Sequence, residues 1–253
     1  MLELLSGVAT DLAGSGARHG EGLFETIRVR DGAPLRLAWH LERLAGGVRF
    51  LGLEPAPDEA AVRAFLDRTA CPGLASGVLR LLAVDRTLQV TVAPWQPDRP
   101  ARIILGLSRE TRRMSSSPLN RFKTLSCLEN RLMAREAERR GLFEVIALNE
   151  AGRLSDGSRT SLFAVLGGRL LTPPAADGAL PGVARRCLLE AGLAEEALLM
   201  PRDLERAEAV LLTNALQGAV PVHALEGREG APPDPDHHLL ALAYCVLEEG
   251  VTG

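Results

Sequence analysis

Residues Gly22 to Leu37 read GLFETIRVRDGAPLRL. Gly22 to Arg30 alternates apolar and polar side chains with the two-residue period of a strand. Asp31-Gly32 is the dipeptide of a two-residue hairpin turn of type I′, whose central residues both need positive φ. Pro34 to Leu37 is expected to return as a second strand. The period then changes. Ala38 to Leu51 places Leu41, Leu44, Val48 and Leu51 at helical spacing, and Asp58 to Thr69 carries Ala61, Val62 and Phe65 on one helical face. Val78 to Val84, Leu88 to Ala93 and Ile103 to Leu107 read as further strands. Strands and helices mixed in this way predict an α+β fold.

Ser108 to Arg121, SRETRRMSSSPLNR, is polar and contains Pro118. It reads as a linker. The expected organisation is a smaller N-terminal α/β domain over 1–107, an interdomain linker over 108–121 and a larger C-terminal mixed α/β domain over 122–253. The second half opens on a helix, Leu125 to Arg140, ended by Gly141. Glu144 to Asn149 is a strand followed by a turn. Leu162 to Leu166 and Arg169 to Thr172 form a hairpin around Gly167-Gly168. Pro181-Gly182 opens a helix through Ala191, Ala209 to Thr213 is a strand running into Asn214, and Asp236 to Glu249 is the closing helix.

The chain has 253 residues, 46% of them hydrophobic, enough for a sizeable core in one or two domains. The net charge is −3 and no stretch clusters basic residues, so a nucleic-acid partner is not expected. No apolar run is long enough to span a bilayer and Met1 to Gly7 does not read as a signal peptide; a cytoplasmic protein is expected. Cys71, Cys127, Cys187 and Cys245 have no zinc spacing and read as reduced, mostly buried thiols; no metal site is expected.

Of the 29 basic residues only Lys123 is lysine. Arginine replaces lysine wherever charge alone is needed, but it cannot add to a carbonyl as an amine nucleophile. Lys123 is therefore a candidate for amine chemistry. A pyridoxal-phosphate site needs such an amine. It also needs an acid facing the pyridine nitrogen, phosphate donors at an arginine and a helix N-terminus, and an acid/base group near the reacting carbon.

Several segments, taken in order, resemble the fold type IV pyridoxal-phosphate enzymes: the branched-chain and D-amino acid aminotransferases and aminodeoxychorismate lyase. They are GEGLFETIRV (Gly20 to Val29), HLERL (His40 to Leu44), FKTLSCL (Phe122 to Leu128), NEAGRLSDGSRTSLF (Asn149 to Phe163), GALPGVAR (Gly178 to Arg185) and LTNALQGAVPV (Leu212 to Val222). The resemblance implies that Lys123 forms the Schiff base with pyridoxal 5′-phosphate and that Arg43 binds its phosphate. It implies that Asp156 faces the ring nitrogen, and that Val183, Ala184, Asn214 and Ala215 complete the phosphate cradle. The family usually shows glutamate and asparagine where this chain has Asp156 and Ser161, and often a hydroxyl residue in place of Ala184.

Within that family, Thr26 and the TNAL segment, Thr213 to Leu216, are similar to the lyase. The resemblance then implies a catalytic pair, Lys123 and Thr26, and the conversion of 4-amino-4-deoxychorismate to 4-aminobenzoate and pyruvate in folate synthesis. The alternative is an aminotransferase for D-amino or branched-chain amino acids, with Arg28, Arg80 or Arg109 taking a substrate carboxylate. The implied partners are a small-molecule amine substrate and a second copy of the chain in a homodimer.

Overall fold

The computed structural model describes residues 3–5, 14–53, 58–68, 73–228 and 233–249. Thr69, Cys71 and most of Met1 to Gly7 lie outside the described residues. The chain divides into two compact units, residues 1–97 with 122–127, and residues 98–121 with 128–253.

The first unit contains β1 (Glu3–Leu5), α1 (Ser15–His19), β2 (Gly22–Arg30), β3 (Ala33–Pro34), α2 (Leu37–Leu51), α3 (Glu59–Leu66), β4 (Ser76–Val84) and β5 (Thr87–Pro94). Its sheet has the order β1-β5-β4-β2-β3. The hairpin turn forms as expected, with Asp31 at φ 48° and Gly32 at φ 77°. The returning strand does not extend over Pro34 to Leu37. It stops at Pro34, because Arg36 takes a left-handed conformation and Leu37 already begins α2. The apolar stripe of Leu37, Leu41, Leu44 and Val48 outweighs the strand pattern there, since it packs against Leu23, Ile27 and Val29 on the inner face of β2.

Glu25 shares that inner face, and it is 1% exposed. It accepts hydrogen bonds from Arg43 Nε and Nη2, both at 2.7 Å, and from His40 Nδ1 at 2.7 Å. One buried carboxylate thus ties β2 to α2. Burial alone would raise its pKa. The Arg43 charge and then the hydrogen bonds from His40 and Arg43 outweigh burial and lower it to about 2. Burial, opposed by the bond to Glu25, holds His40 below its ordinary 6.5.

The second unit contains β6 (Ile104–Arg113), α4 (Leu128–Arg139), β7 (Glu144–Asn149), β8 (Leu154–Gly157), β9 (Ser161–Leu166), β10 (Arg169–Thr172), α5 (Val183–Glu190), β11 (Ala194–Glu196), α6 (Pro201–Arg206), β12 (Ala209–Asn214), β13 (Gly218–Pro221), β14 (Ala224–Leu225) and α7 (His238–Glu249). Two sheets form, ordered β11-β10-β9-β12-β13 and β14-β6-β7-β8. Ile146 and Leu154 of one meet Leu162, Val210 and Leu212 of the other in a shared core. Val145 and Ala147 face Met133 and Ala137 of α4.

Two stretches differ from the sequence reading. Ser108 to Arg113, read as the start of a linker, continue β6. The pairing with β7 is interrupted between Leu107 and Arg112, and the polar residues SRET fill the irregularity. Ser108 Oγ and Arg109 N both bond the buried Glu136 carboxylate. The helix expected from Leu125 starts only at Leu128, because Leu125 N donates to Gly22 O at 2.9 Å and so belongs to an extended segment. Among the described residues no helix is long and apolar enough to cross a membrane. The described thiols are free, but only Cys187 is buried; Cys127 is half-buried and Cys245 exposed.

The buried carboxylate sets an acid limit on the first unit. The folded-state pKa of Glu25 lies below its ordinary 4.5, so its contribution is complete above 4.5 and is lost as pH falls toward 2. His40 is also depressed, so the unfolded chain takes up its proton first and stability begins to fall as pH drops through 6.5. The shift at Glu25 corresponds to roughly 3 kcal/mol at neutral pH. Thermal unfolding between pH 5 and pH 2 should show a steep fall in Tm for the parent and a shallower one for Glu25→Gln from a lower starting point. Equal slopes would show that Glu25 is not the acid-sensitive group.

Candidate functional site

Lys123 sits in the six-residue segment, 122–127, that returns to the first unit. Phe24 N donates to Lys123 O and Leu125 N to Gly22 O, both at 2.9 Å, with Thr124 paired to Leu23. The segment occupies the edge of β2 that β3 leaves open. On one side Phe122 stacks on Phe50 of α2, with ring centroids 4.8 Å apart. Lys123 Nζ lies 4.5 Å from the centroid of the Phe24 ring. Phe24 is on the half-buried face of β2, and the next residues on that face are Thr26 and Arg28. Thr26 is directly opposite Arg80 in β4, and Arg80 is opposite Thr91 in β5. The Arg28 guanidinium is 5.9 Å from the centroid of the Trp95 ring. An amine, a hydroxyl and two guanidinium groups thus share one sheet face.

Arg43 is 12% exposed in its side chain and is held along one edge by Glu25. A guanidinium fixed by one edge is an oriented cation, not a solvated helix residue. The structure therefore gathers Lys123, Thr26 and Arg43 around β2 of the first unit.

The other expected site residues belong to the second unit. Asp156 lies on β8, where all four residues are buried. Its Oδ1 accepts from Arg113 Nε at 2.9 Å and its Oδ2 from Leu180 N at 3.0 Å. The loop after it is held by Glu144, a buried carboxyl that accepts from Ser158 N, Arg159 N and Thr160 Oγ1. Burial pushes the Glu144 pKa up, against the hydrogen bonds from Ser158 and Thr160. A Cβ on Gly157 would come within 2.8 Å of that carboxyl, which explains glycine there.

Val183 and Ala184 form the first turn of α5, and Gly182 at its N-cap supplies no side-chain cap. The first N–H groups of a helix have no partner within it, and the helix dipole favours an anion there. Nearby, Ser161 Oγ would stand 2.9 Å from a Cβ on Gly182, and Ser161 pairs directly with Thr213. Thr213 is 1% exposed, and its hydroxyl has no hydrogen-bond partner among the described residues. Asn214 Oδ1 accepts from Leu216 N and Gln217 N, closing the turn between β12 and β13. Asn214 and Ala215 therefore have main chain, not the Asn214 side-chain oxygen, to offer a ligand.

Sequence reasoning did not single out Glu25, Arg113 or the spare hydroxyl of Thr213. Glu25 could have been found as a carboxylate on the apolar phase of β2. Arg109, one of three candidate carboxylate binders, is exposed and bonds Glu226 at 3.1 Å. Among the described residues no group of three or more His, Cys, Asp and Glu is placed to hold a metal.

A family model of class IV aminotransferases matches residues 22–225. The bifunctional aminodeoxychorismate lyase / D-amino acid transaminase of Mycobacterium tuberculosis is 30% identical over 259 aligned residues, covering 87% of this chain and 86% of that one. A hypothetical aminotransferase from Mycobacterium tuberculosis, solved in its PLP-bound form, superposes with a TM-score of 0.81 at 26% identity, covering 97% and 96% of the two chains. The branched-chain amino acid aminotransferase from Escherichia coli has the same fold, with a TM-score of 0.81 at 23% identity over 94% and 87% of the chains. A lone lysine and an oriented arginine in one unit, and a helix start without a side-chain cap together with a spare buried hydroxyl in the other, agree with that match: the chain belongs to the class IV aminotransferase family of fold type IV, whose members are pyridoxal-phosphate enzymes.

Proposed function

We propose that this chain is a pyridoxal-phosphate lyase that converts 4-amino-4-deoxychorismate to 4-aminobenzoate and pyruvate. The observation that carries the reading is the placement of Thr26 next to Phe24 on the face of β2 where the Lys123 amine lies. The similarity to a relative named for both the lyase and D-amino acid transamination supports it.

The residues fit the cofactor. The uncapped first turn of α5 and the unpartnered Thr213 hydroxyl suit a phosphate, with the main chain of Val183, Ala184, Asn214 and Ala215 as further donors. In the first unit, Arg43 would bind the phosphate and Lys123 would hold the cofactor covalently. In the second, Asp156 would face the ring nitrogen. When bound, pyridoxal phosphate supplies an aldehyde that joins an amine and a ring that draws electrons from the adjoining carbon.

With its amine free, Lys123 would remove the proton from the substrate carbon that bears nitrogen. Thr26 would pass a proton to the departing enolpyruvyl group as its C–O bond breaks, and that group leaves as pyruvate. The ring left behind is aromatic, so the step runs one way and no second amino acceptor is needed.

A second reading has its own observation. Arg28 and Arg80 share the sheet face of Thr26, with Arg80 directly opposite Thr26. Two guanidinium groups there suit a substrate carboxylate, as an aminotransferase for D-amino or branched-chain amino acids needs. Homodimerisation is part of the same proposal.

The purified protein, offered 4-amino-4-deoxychorismate, should release pyruvate without an added keto acid. It should consume D-alanine or L-leucine with 2-oxoglutarate much more slowly; the reverse ranking selects the aminotransferase. Thr26→Val keeps the shape and removes the hydroxyl, and should slow pyruvate release by about 10²–10⁴-fold, the usual span of general acid–base catalysis. Full lyase activity in that variant would remove Thr26 as the proton donor.

Arg43→Ala removes a charge-assisted contact worth about 1.5–3 kcal/mol. Cofactor affinity should drop roughly ten- to hundredfold, read by titrating apoprotein with pyridoxal phosphate. Unchanged affinity would remove Arg43 as the phosphate ligand.

A further inference from the structure

Asp156 is shared between two groups of the protein itself, Arg113 and the Leu180 main chain. Arg113 and Asp156 are each 6% exposed, and they meet through Arg113 Nε and Asp156 Oδ1 at 2.9 Å. Arg113 ends β6, where it pairs with Asn149 of β7. Its Nη1 reaches Asn130 Oδ1 at 3.2 Å and Glu129 Oε2 at 3.4 Å, both in the first turn of α4. Asn130 in turn donates to Ser158 O at 2.8 Å, two residues past Asp156. The guanidinium is therefore clamped from β8 and α4, and the carboxylates in its reach are Asp156 and the largely exposed Glu129.

Two physical consequences follow. A cation in contact with a buried carboxylate compensates its charge, and in a dry site such compensation is felt strongly by any third group. Asp156 also cannot swing freely toward a ligand, because Arg113 takes one oxygen and Leu180 N the other. We propose that Arg113 is a positioning residue that limits how firmly Asp156 can hold a proton on the pyridine nitrogen of the cofactor. This rests on the reading that Asp156 faces that nitrogen.

A moderated electron sink suits the proposed lyase. Loss of the enolpyruvyl group and aromatisation draw the electrons out of the substrate. Transamination instead needs the ring to keep them until a proton returns at a different carbon. Arg113 thus bears on which of the two family reactions the site favours.

The test uses holoprotein loaded with pyridoxal phosphate labelled with ¹⁵N in the ring, titrated by NMR against pH. In Arg113→Gln the ring nitrogen should keep its proton to a pH about one unit or more above that of the parent, the usual effect of removing a charge at contact distance. An unchanged titration would overturn the proposal. Asp156→Asn checks the reading beneath it: its ring nitrogen should deprotonate at lower pH. No change in that variant would mean that Asp156 faces something else, whatever Arg113 does.

A second measurement needs no substitution. The Arg113 Nε–H resonance of the parent should differ between protein loaded with pyridoxal phosphate and protein loaded with its 1-deaza analogue, which has no ring nitrogen. Identical resonances would overturn the proposal even if Arg113→Gln does not fold.

Discussion

Two backbone hydrogen bonds place Lys123, the residue proposed to hold the cofactor: Phe24 N to Lys123 O and Leu125 N to Gly22 O. They make a short antiparallel bridge that adds residues 122–127 to the edge of β2. Alternation across that bridge sends Phe122 toward α2 and Phe50, and brings the Lys123 amine over Phe24. Gly22 permits the approach, because a Cβ there would stand 2.7 Å from the Leu125 side chain and 2.9 Å from Ala83 O. The one side-chain amine of the sequence is thus placed by main chain, the least adaptable part of the structure.

The same strand organises a second contact on its other face. Glu25 faces inward among Leu23, Ile27 and Val29, where an unpaired carboxylate would be costly. Arg43 and His40 meet that cost from α2. What fixes α2 on the sheet also orients the arginine proposed to hold phosphate. In the second unit Arg113 does for Asp156 what Glu25 does for Arg43. Each of these two proposed cofactor contacts, of opposite charge, is locked by a buried partner.

Much of this was legible where the pattern is local. Gly22 to Arg30, the Asp31-Gly32 turn, α2, β7 and the β9–β10 hairpin follow from period and turn chemistry within a few residues. The lysine count made Lys123 a candidate for amine chemistry. What was not legible depends on partners distant in the chain. Arg113 looked like linker because Ser108 to Thr111 break the apolar pattern of β6, and only Glu136 explains why they can do so in a strand. Asp156-Gly157 resembles a turn, yet β7 and Arg113, 43 residues earlier, make it a buried strand end. Leu125 to Cys127 carry helix-forming residues, but the Gly22 carbonyl claims the Leu125 N–H. Burial of polar groups is decided by such long-range pairs, and no local window contains both members.

The claim on which the rest depends is that Lys123 carries the cofactor. Reducing the holoprotein with borohydride, digesting it and mapping the peptides by mass spectrometry tests it directly. The expected result is one reduced pyridoxyl adduct, on the peptide containing Lys123. An adduct on any other amine, with Lys123 unmodified, would contradict it.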